Sequence, residues 1–238
     1  MKKRLLIIGF IIMIGIENNC VGKRGEEGKK IKGKIEMNEN FLGTYDKKKK
    51  DFVGLLIHYN KKIYTTSKIN DKYRPENMID GNIKTCWATS VNRGIGEQIL
   101  LIGSSIARGD KLYNLDFLQI YNGYCKNKEI YYKNNRIKRM RMEIYRVIVF
   151  PIDTEKGLRW YTMNKYINCI YKKEVKLKDK YLYPNNIKIE INIKKDYQKT
   201  QEEIGMPTDY LFLFTIEDIY KGSKYNDLCV SEIKFIYK

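Results

Sequence analysis

Apolar and polar residues alternate along most of the chain after Phe52, in short runs separated by turn residues. Arg139–Phe150 places Met140, Met142, Ile144, Ile148 and Phe150 on one face and Arg141, Glu143 and Tyr145 on the other. Ile187, Ile189, Ile191 and Ile193 alternate with Lys188, Glu190, Asn192 and Lys194, the clearest half-buried strand by pattern. Leu211–Ile216 is apolar on both faces, as a central strand covered on two sides would be. Ile233, Phe235 and Tyr237 form a last alternating strand. Many short strands with little helical periodicity predict an all-β fold, an antiparallel β-sandwich or jelly roll, spanning residues 51–238 without internal repeat or second domain.

The first fifty residues read differently. Met1-Lys-Lys-Arg4 and the apolar run Leu5–Ile16 have the layout of an export signal. The run is short for a bilayer span, which takes about 20 apolar residues. Cys20 follows directly and resembles the acylated cysteine of a bacterial lipoprotein, although Asn18 and Asn19 depart from the usual small-residue box. The expected organisation is a signal peptide over residues 1–20 and a charged, Gly- and Lys-rich tether over 21–50, ahead of the sandwich. The expected location is the cell envelope, with an acyl chain on Cys20 holding the protein at a membrane, and plain secretion and a retained anchor are the alternatives.

The net charge of +18 favours anionic partners, but abundant Lys, Ile, Asn and Tyr together also reflect an AT-rich coding sequence. The basic run Lys126, Lys128, Lys133, Arg136, Lys138, Arg139, Arg141 and Arg146 is the obvious place for an acidic glycan or lipid headgroup. Nucleic acid is not an expected partner of an exported, anchored protein. Enzyme readings fare badly. His58 is the only histidine and sits in an apolar run, so no nucleophile–base arrangement can be assembled without it. Gly94-Ile-Gly96 is too short for a dinucleotide loop and leads into a strand. Once Cys20 is acylated, Cys86, Cys125, Cys169 and Cys229 remain, allowing two disulfides in three pairings or buried free thiols. Their spacing leaves the pairing open. None of the four has the spacing of a zinc site.

One stretch concentrates chemistry. Asp80-Gly81-Asn82 is a tight-turn signal, followed by the hydroxyl of Thr85 and by Trp87. An acid, backbone carbonyls and a hydroxyl within six residues suit one hard cation, and a structural turn anchored by Trp87 in the core is the other reading. Asn77-Met-Ile-Asp-Gly-Asn-Ile-Lys-Thr-Cys-Trp87 resembles the discoidin-like (coagulation-factor type C, galactose-binding-like) domains. Three groups of further residues extend the resemblance: Gly94-Ile-Gly-Glu97; Ile120-Tyr-Asn-Gly-Tyr124 with Tyr132-Lys-Asn-Asn-Arg-Ile-Lys138; and Cys229-Val-Ser-Glu-Ile233. Together they are similar to the branch found beside bacterial NAD glycohydrolase toxins and in stand-alone surface proteins. The NAD-cleaving activity belongs to a different domain and is not expected here.

What the resemblance implies is a sandwich that binds with loops at one end, aromatic faces stacking on sugars while polar side chains read hydroxyls. Carried onto this chain, the ligand-binding candidates are Arg93, Glu97, Tyr121, Asn122, Tyr124 and Arg136, with Trp160-Tyr161 as a further aromatic pair. Each has a plainer alternative, such as a strand end for Arg136 or a hairpin turn for Asn122-Gly123. The resemblance also implies structural Ca²⁺ held by Asp80, Asn82, Thr85 and Glu232, against which stands Lys84, whose ammonium can occupy the same space. The expected function is a non-catalytic, membrane-anchored carbohydrate-binding (adhesion) module. The alternative is a scaffold for a cell-surface protein or anionic ligand.

Overall fold

The computed structural model describes residues 63–103, 114–154, 157–162, 167–206 and 208–238, with five two-residue strand segments in other parts of the chain. Cys20, His58, the signal sequence and nearly all of the tether lie outside the described residues, as do the side chains of Trp160 and Tyr161. In chain order the strands begin with β1 (Tyr45–Asp46), β2 (Asp51–Phe52), β3 (Leu55–Leu56), β4 (Ile63–Thr65), β5 (Trp87–Thr89) and β6 (Gln98–Gly103). They continue with β7 (Ala107–Arg108), β8 (Lys111–Leu112), β9 (Leu115–Asn122), β10 (Arg136–Ile148), β11 (Phe150–Thr154) and β12 (Gly157–Thr162). The last four are β13 (Ile167–Lys176), β14 (Pro184–Lys188), β15 (Thr208–Tyr220) and β16 (Leu228–Tyr237). Helices α1 (Lys128–Lys133) and α2 (Ile193–Ile204) interrupt them.

Two antiparallel sheets carry the molecule, one in the order β13-β10-β15-β6-β4 and the other β14-β9-β16-β5. Their facing sides enclose one core, in which Met140, Met142 and Ile144 of β10 meet Phe212, Phe214 and Ile216 of β15, Leu118 and Ile120 of β9, and Trp87. Each such fully buried side chain contributes about 1.5–3 kcal/mol by leaving water. Trp87 is wholly buried, and its indole N–H donates to the carbonyl of Ser67 at 2.8 Å, so its polar atom is satisfied. The expected all-β antiparallel sandwich is the fold observed.

The doubly apolar pattern of Leu211–Ile216 has a direct cause. β15 lies between β10 and β6, with Phe212, Phe214 and Ile216 in the main core. Leu211 and Leu213 turn the other way, into a second buried cluster with Leu100, Ile102, Val147 and Val149. At Ile187–Lys194 the structure corrects the expected continuous strand. Pairing stops at Lys188, and Ile193 opens α2. Asn192 caps the helix, its side-chain oxygen accepting from the Lys195 N–H at 2.9 Å. Gly205, at φ +70°, closes the other end with its N–H on the Gln201 carbonyl. Arg146 on β10 and Tyr210 on β15 both bond to Asp196, at 2.9 and 2.8 Å, and pin the helix to the sheet. Among the described residues no helix is long and apolar enough to cross a membrane.

Candidate functional site

Three connections meet at one end of the sandwich: residues 123–135 between β9 and β10, 177–183 between β13 and β14, and 221–227 between β15 and β16. Arg136, buried at the first position of β10, joins all three. Its guanidinium donates to both carboxylate oxygens of Asp179 (3.0 and 2.6 Å), to the Asn134 carbonyl (2.7 Å) and to the Lys221 carbonyl (3.0 Å). The rings of Tyr131 and Tyr132 lie 5.4 and 5.5 Å from the same cation. Planar, five-donor geometry is what lets one side chain reach three loops at once. Asn135 adds a second knot. Its N–H reaches the Asp227 carbonyl and its side chain bonds to the backbone of Arg93, Asn226 and Gly222. Asn122 makes a paired bond with the N–H and carbonyl of Ile137. Gly123 follows at φ +75°, where a Cβ would come within 3 Å of both Arg136 and Tyr131.

The structure therefore divides the six expected ligand residues. Asn122 and Arg136 are buried, their polar groups committed to holding the loops. Glu97 is buried as well, at a separate hydroxyl cluster, where its carboxylate accepts from Ser67 and, at 2.7 Å, from Thr66. Tyr121 sits on the four-stranded sheet, opposite Glu232 and Pro184 in register, with the Lys234 ammonium 5.7 Å from its ring centre. Arg93 is exposed, at the tip of a loop in which Asn92 and Arg93 both take positive φ (44° and 58°). Tyr124 is half-buried and meets Tyr73 edge-to-face, ring centres 6.2 Å apart at 87°. Tyr73 is not among the ligand candidates read from the sequence, although it lies shortly before the Asn77–Trp87 motif. Exposed Tyr132 and Tyr225 belong to the same loop group, because the N–H groups of Ser223 and Tyr225 bond to the carbonyls of Tyr132 and Lys133.

The cation candidates do come together. Thr85 Oγ1 donates to Asp80 Oδ2 at 2.8 Å and to the Asn82 carbonyl at 2.7 Å. The Gly81 N–H donates to Glu232 Oε1 at 3.2 Å, which brings the last strand onto the turn. Glu232 Oε2 is buried without a partner. Burial, reinforced by the negative charge of Asp80, outweighs the Gly81 N–H and Lys234 and pushes the Glu232 carboxyl up to about 7. Lys84 is exposed, its backbone N–H on Asn82 Oδ1. Among the described residues no three His, Cys, Asp or Glu side chains gather as a metal cluster, so any ion here relies on two carboxylates, a hydroxyl and carbonyl oxygens.

A family model described as the NAD glycohydrolase translocation F5/8 type C domain matches residues 53–236. No curated protein matches the chain. Among solved structures, the family 32 carbohydrate-binding module of Clostridium perfringens NanJ, in complex with galactose, is 14% identical, with 74% of this chain and 92% of that one covered and a TM-score of 0.38. CpGH89CBM32-5 from Clostridium perfringens, in complex with GalNAc-β-1,3-galactose, is 13% identical over 74% of this chain and 94% of that one, with a TM-score of 0.39. The mycobacterial arabinofuranosyltransferase AftD is 12% identical over 74% of this chain, which spans only 11% of that protein, with a TM-score of 0.39.

Proposed function

Because the chain belongs to the NAD glycohydrolase translocation F5/8 type C domain family, the discoidin-like branch that its motifs resemble, we propose that it is a non-catalytic binding module that takes a glycan at the loop end. The observation that carries this reading is the half-buried Tyr73–Tyr124 pair, in which Tyr124 sits on the 123–135 connection that Arg136 and Asn135 tie to its neighbours. An aromatic face suits the weakly apolar face of a pyranose, and a platform fixed before binding avoids the entropy of ordering loops. Arg93, exposed on the neighbouring loop, is the cationic candidate for reading ligand polar groups. A glycan array with the described domain, followed by titration of Tyr124→Ala, tests this. The variant is expected to lose about tenfold in affinity, some 1.4 kcal/mol, with Tm within a few degrees of wild type. Unchanged affinity would overturn the assignment of the face.

The turn at Asp80 fits Ca²⁺. Asp80 Oδ2, Thr85 Oγ1, the Asn82 carbonyl and the orphaned Glu232 Oε2 are all hard oxygen donors within one hydrogen-bonded unit. Bound there, the ion would supply the charge that two neighbouring carboxylates and an unpaired buried oxygen lack. It would be structural, fixing the turn against β16. Wild-type Tm is expected to rise with about 1 mM Ca²⁺ and fall on chelation, by several degrees if the affinity is micromolar, and Asp80→Ala is expected to be indifferent to both. A wild-type Tm that chelator and Ca²⁺ leave unmoved would remove the site. Export, acylation of Cys20 and an adhesive role at the cell envelope are proposed with it, supported by the leader sequence alone.

A further inference from the structure

We infer that Cys86 and Cys229 are a disulfide-forming pair, and that their bond ties the edge strand β5 to the C-terminal strand β16 directly beneath the Tyr73–Tyr124 pair. β5 is only three residues long and lies at the edge of its sheet, paired with β16 through Trp87–Val230, Ala88–Cys229 and Thr89–Leu228. That register puts Cys86 one residue before the strand and diagonally across from Cys229. The two side chains and Ala88 form a separate buried cluster, packed by Tyr73 and Tyr124. Both cysteines are buried free thiols in this structure. Cys86 is also held from behind, its carbonyl accepting from the Asn77 side chain at 2.8 Å. Cys169, by contrast, is exposed on β13, and Cys125 is anchored to Ser231 through its backbone N–H.

The chemistry balances with a disulfide oxidant of the glutathione or thiol-oxidoreductase class. A thiolate of the pair attacks the oxidant's disulfide and releases one thiol, and the second cysteine then attacks the mixed disulfide and releases the other. Two protons and two electrons leave the protein, and one S–S bond forms while one breaks. The neighbouring Cys86 thiol and burial push the Cys229 thiol well up, which makes the closed protein a slow nucleophile. The bond therefore forms as the chain folds, or when the short edge strand opens, and once formed it is shielded from reductant by the same burial. The aromatic face then rests on a covalent link, whatever that face binds.

The test is to refold the full chain in oxidised and reduced glutathione, alkylate free thiols, and map peptides. The expected result is a Cys86–Cys229 cross-linked peptide, with Cys125 and Cys169 alkylated. Its Tm should exceed that of the reduced protein by roughly 5–10 °C. Cys86→Ala and Cys229→Ala should each lose the cross-link and the rise. Because either variant can fold poorly, the double variant Cys125→Ala/Cys169→Ala provides a second measurement, and there Cys86 and Cys229 should oxidise quantitatively to each other, leaving Cys20 to be alkylated. Bonding of Cys86 to Cys125, dimers through Cys169, or a fully alkylated Cys86 and Cys229 would overturn the assignment.

Discussion

At the scale of single residues, polar side chains in the loop-end motifs do two different jobs, and burial separates them. Arg136 and Tyr124 are both prominent in the sequence, yet the guanidinium is 4% exposed and fully engaged, whereas the tyrosine keeps an open side. Removing one partner of a buried, hydrogen-bonded ion pair leaves the other uncompensated, a loss of about 3–5 kcal/mol. Arg136→Ala is therefore expected to lower Tm by roughly 10 °C and to weaken ligand binding with it, because three loops lose their common tie. Thermal melts and binding titrations on both variants check this: Tyr124→Ala should move affinity alone, and Arg136→Ala should move both. An Arg136→Ala protein with wild-type Tm would mean that the loops are held some other way. The motifs showed that these residues matter, but the division between platform and contact surface was not legible, because it depends on what Asp179 and Lys221, 43 and 85 positions away, place around the guanidinium.

At the scale of elements, legibility followed the length and regularity of the pattern. The run at Leu211–Ile216 sits in one long strand whose burial on both faces reproduces its pattern. Met140, Met142 and Ile144 share the core face of β10 as the pattern requires, but the expected run Arg139–Phe150 is broken after Ile148, with Phe150 opening β11 against β12. The run at Ile187–Lys194 misled because a period of two and the first turn of a helix share their opening residues. Ile187 and Ile189 are buried as strand-like alternation requires, but Ile193 starts a series with Tyr197 and Thr200 that faces the sheet at helical spacing. The discriminating signals were Asn192 before that series and Gly205 after it, a cap at each end. The turn at Asp80 was legible for the opposite reason. Its geometry is almost wholly local, set by Asp80, Asn82 and Thr85 bonding within five residues, and only Glu232 arrives from afar.

At the scale of the whole molecule, the question is how much of the +18 charge is available to a ligand. The basic stretch from Lys126 to Arg146 looked in sequence like a continuous cationic patch. In the fold, Lys133 pairs with Glu129, Arg136 with Asp179, Lys138 with Asp218, Arg139 with Glu217, Arg141 with Glu143 and Arg146 with Asp196. Glu217 and Asp218 come from β15, paired beside β10, and the other acids from α1, the β13–β14 connection, β10 itself and α2, a neutralisation that a linear reading does not see. Apart from the buried Arg136–Asp179 pair, such pairs add little stability, but all of them cancel local charge. A glycan recognised by stacking and hydrogen bonds at the loop end should therefore bind nearly as well in about 1 M salt as in about 0.1 M, although the screening length falls from about 10 to about 3 Å. Heparin and anionic vesicles, drawn by the remaining net charge, should bind at the lower salt and be released at the higher. Array and vesicle measurements at both salts decide between the two readings. If every ligand that binds is lost at high salt, the scaffold for anionic partners replaces the glycan module, and if the neutral sugar persists, the charge is background to a site that the tyrosines make.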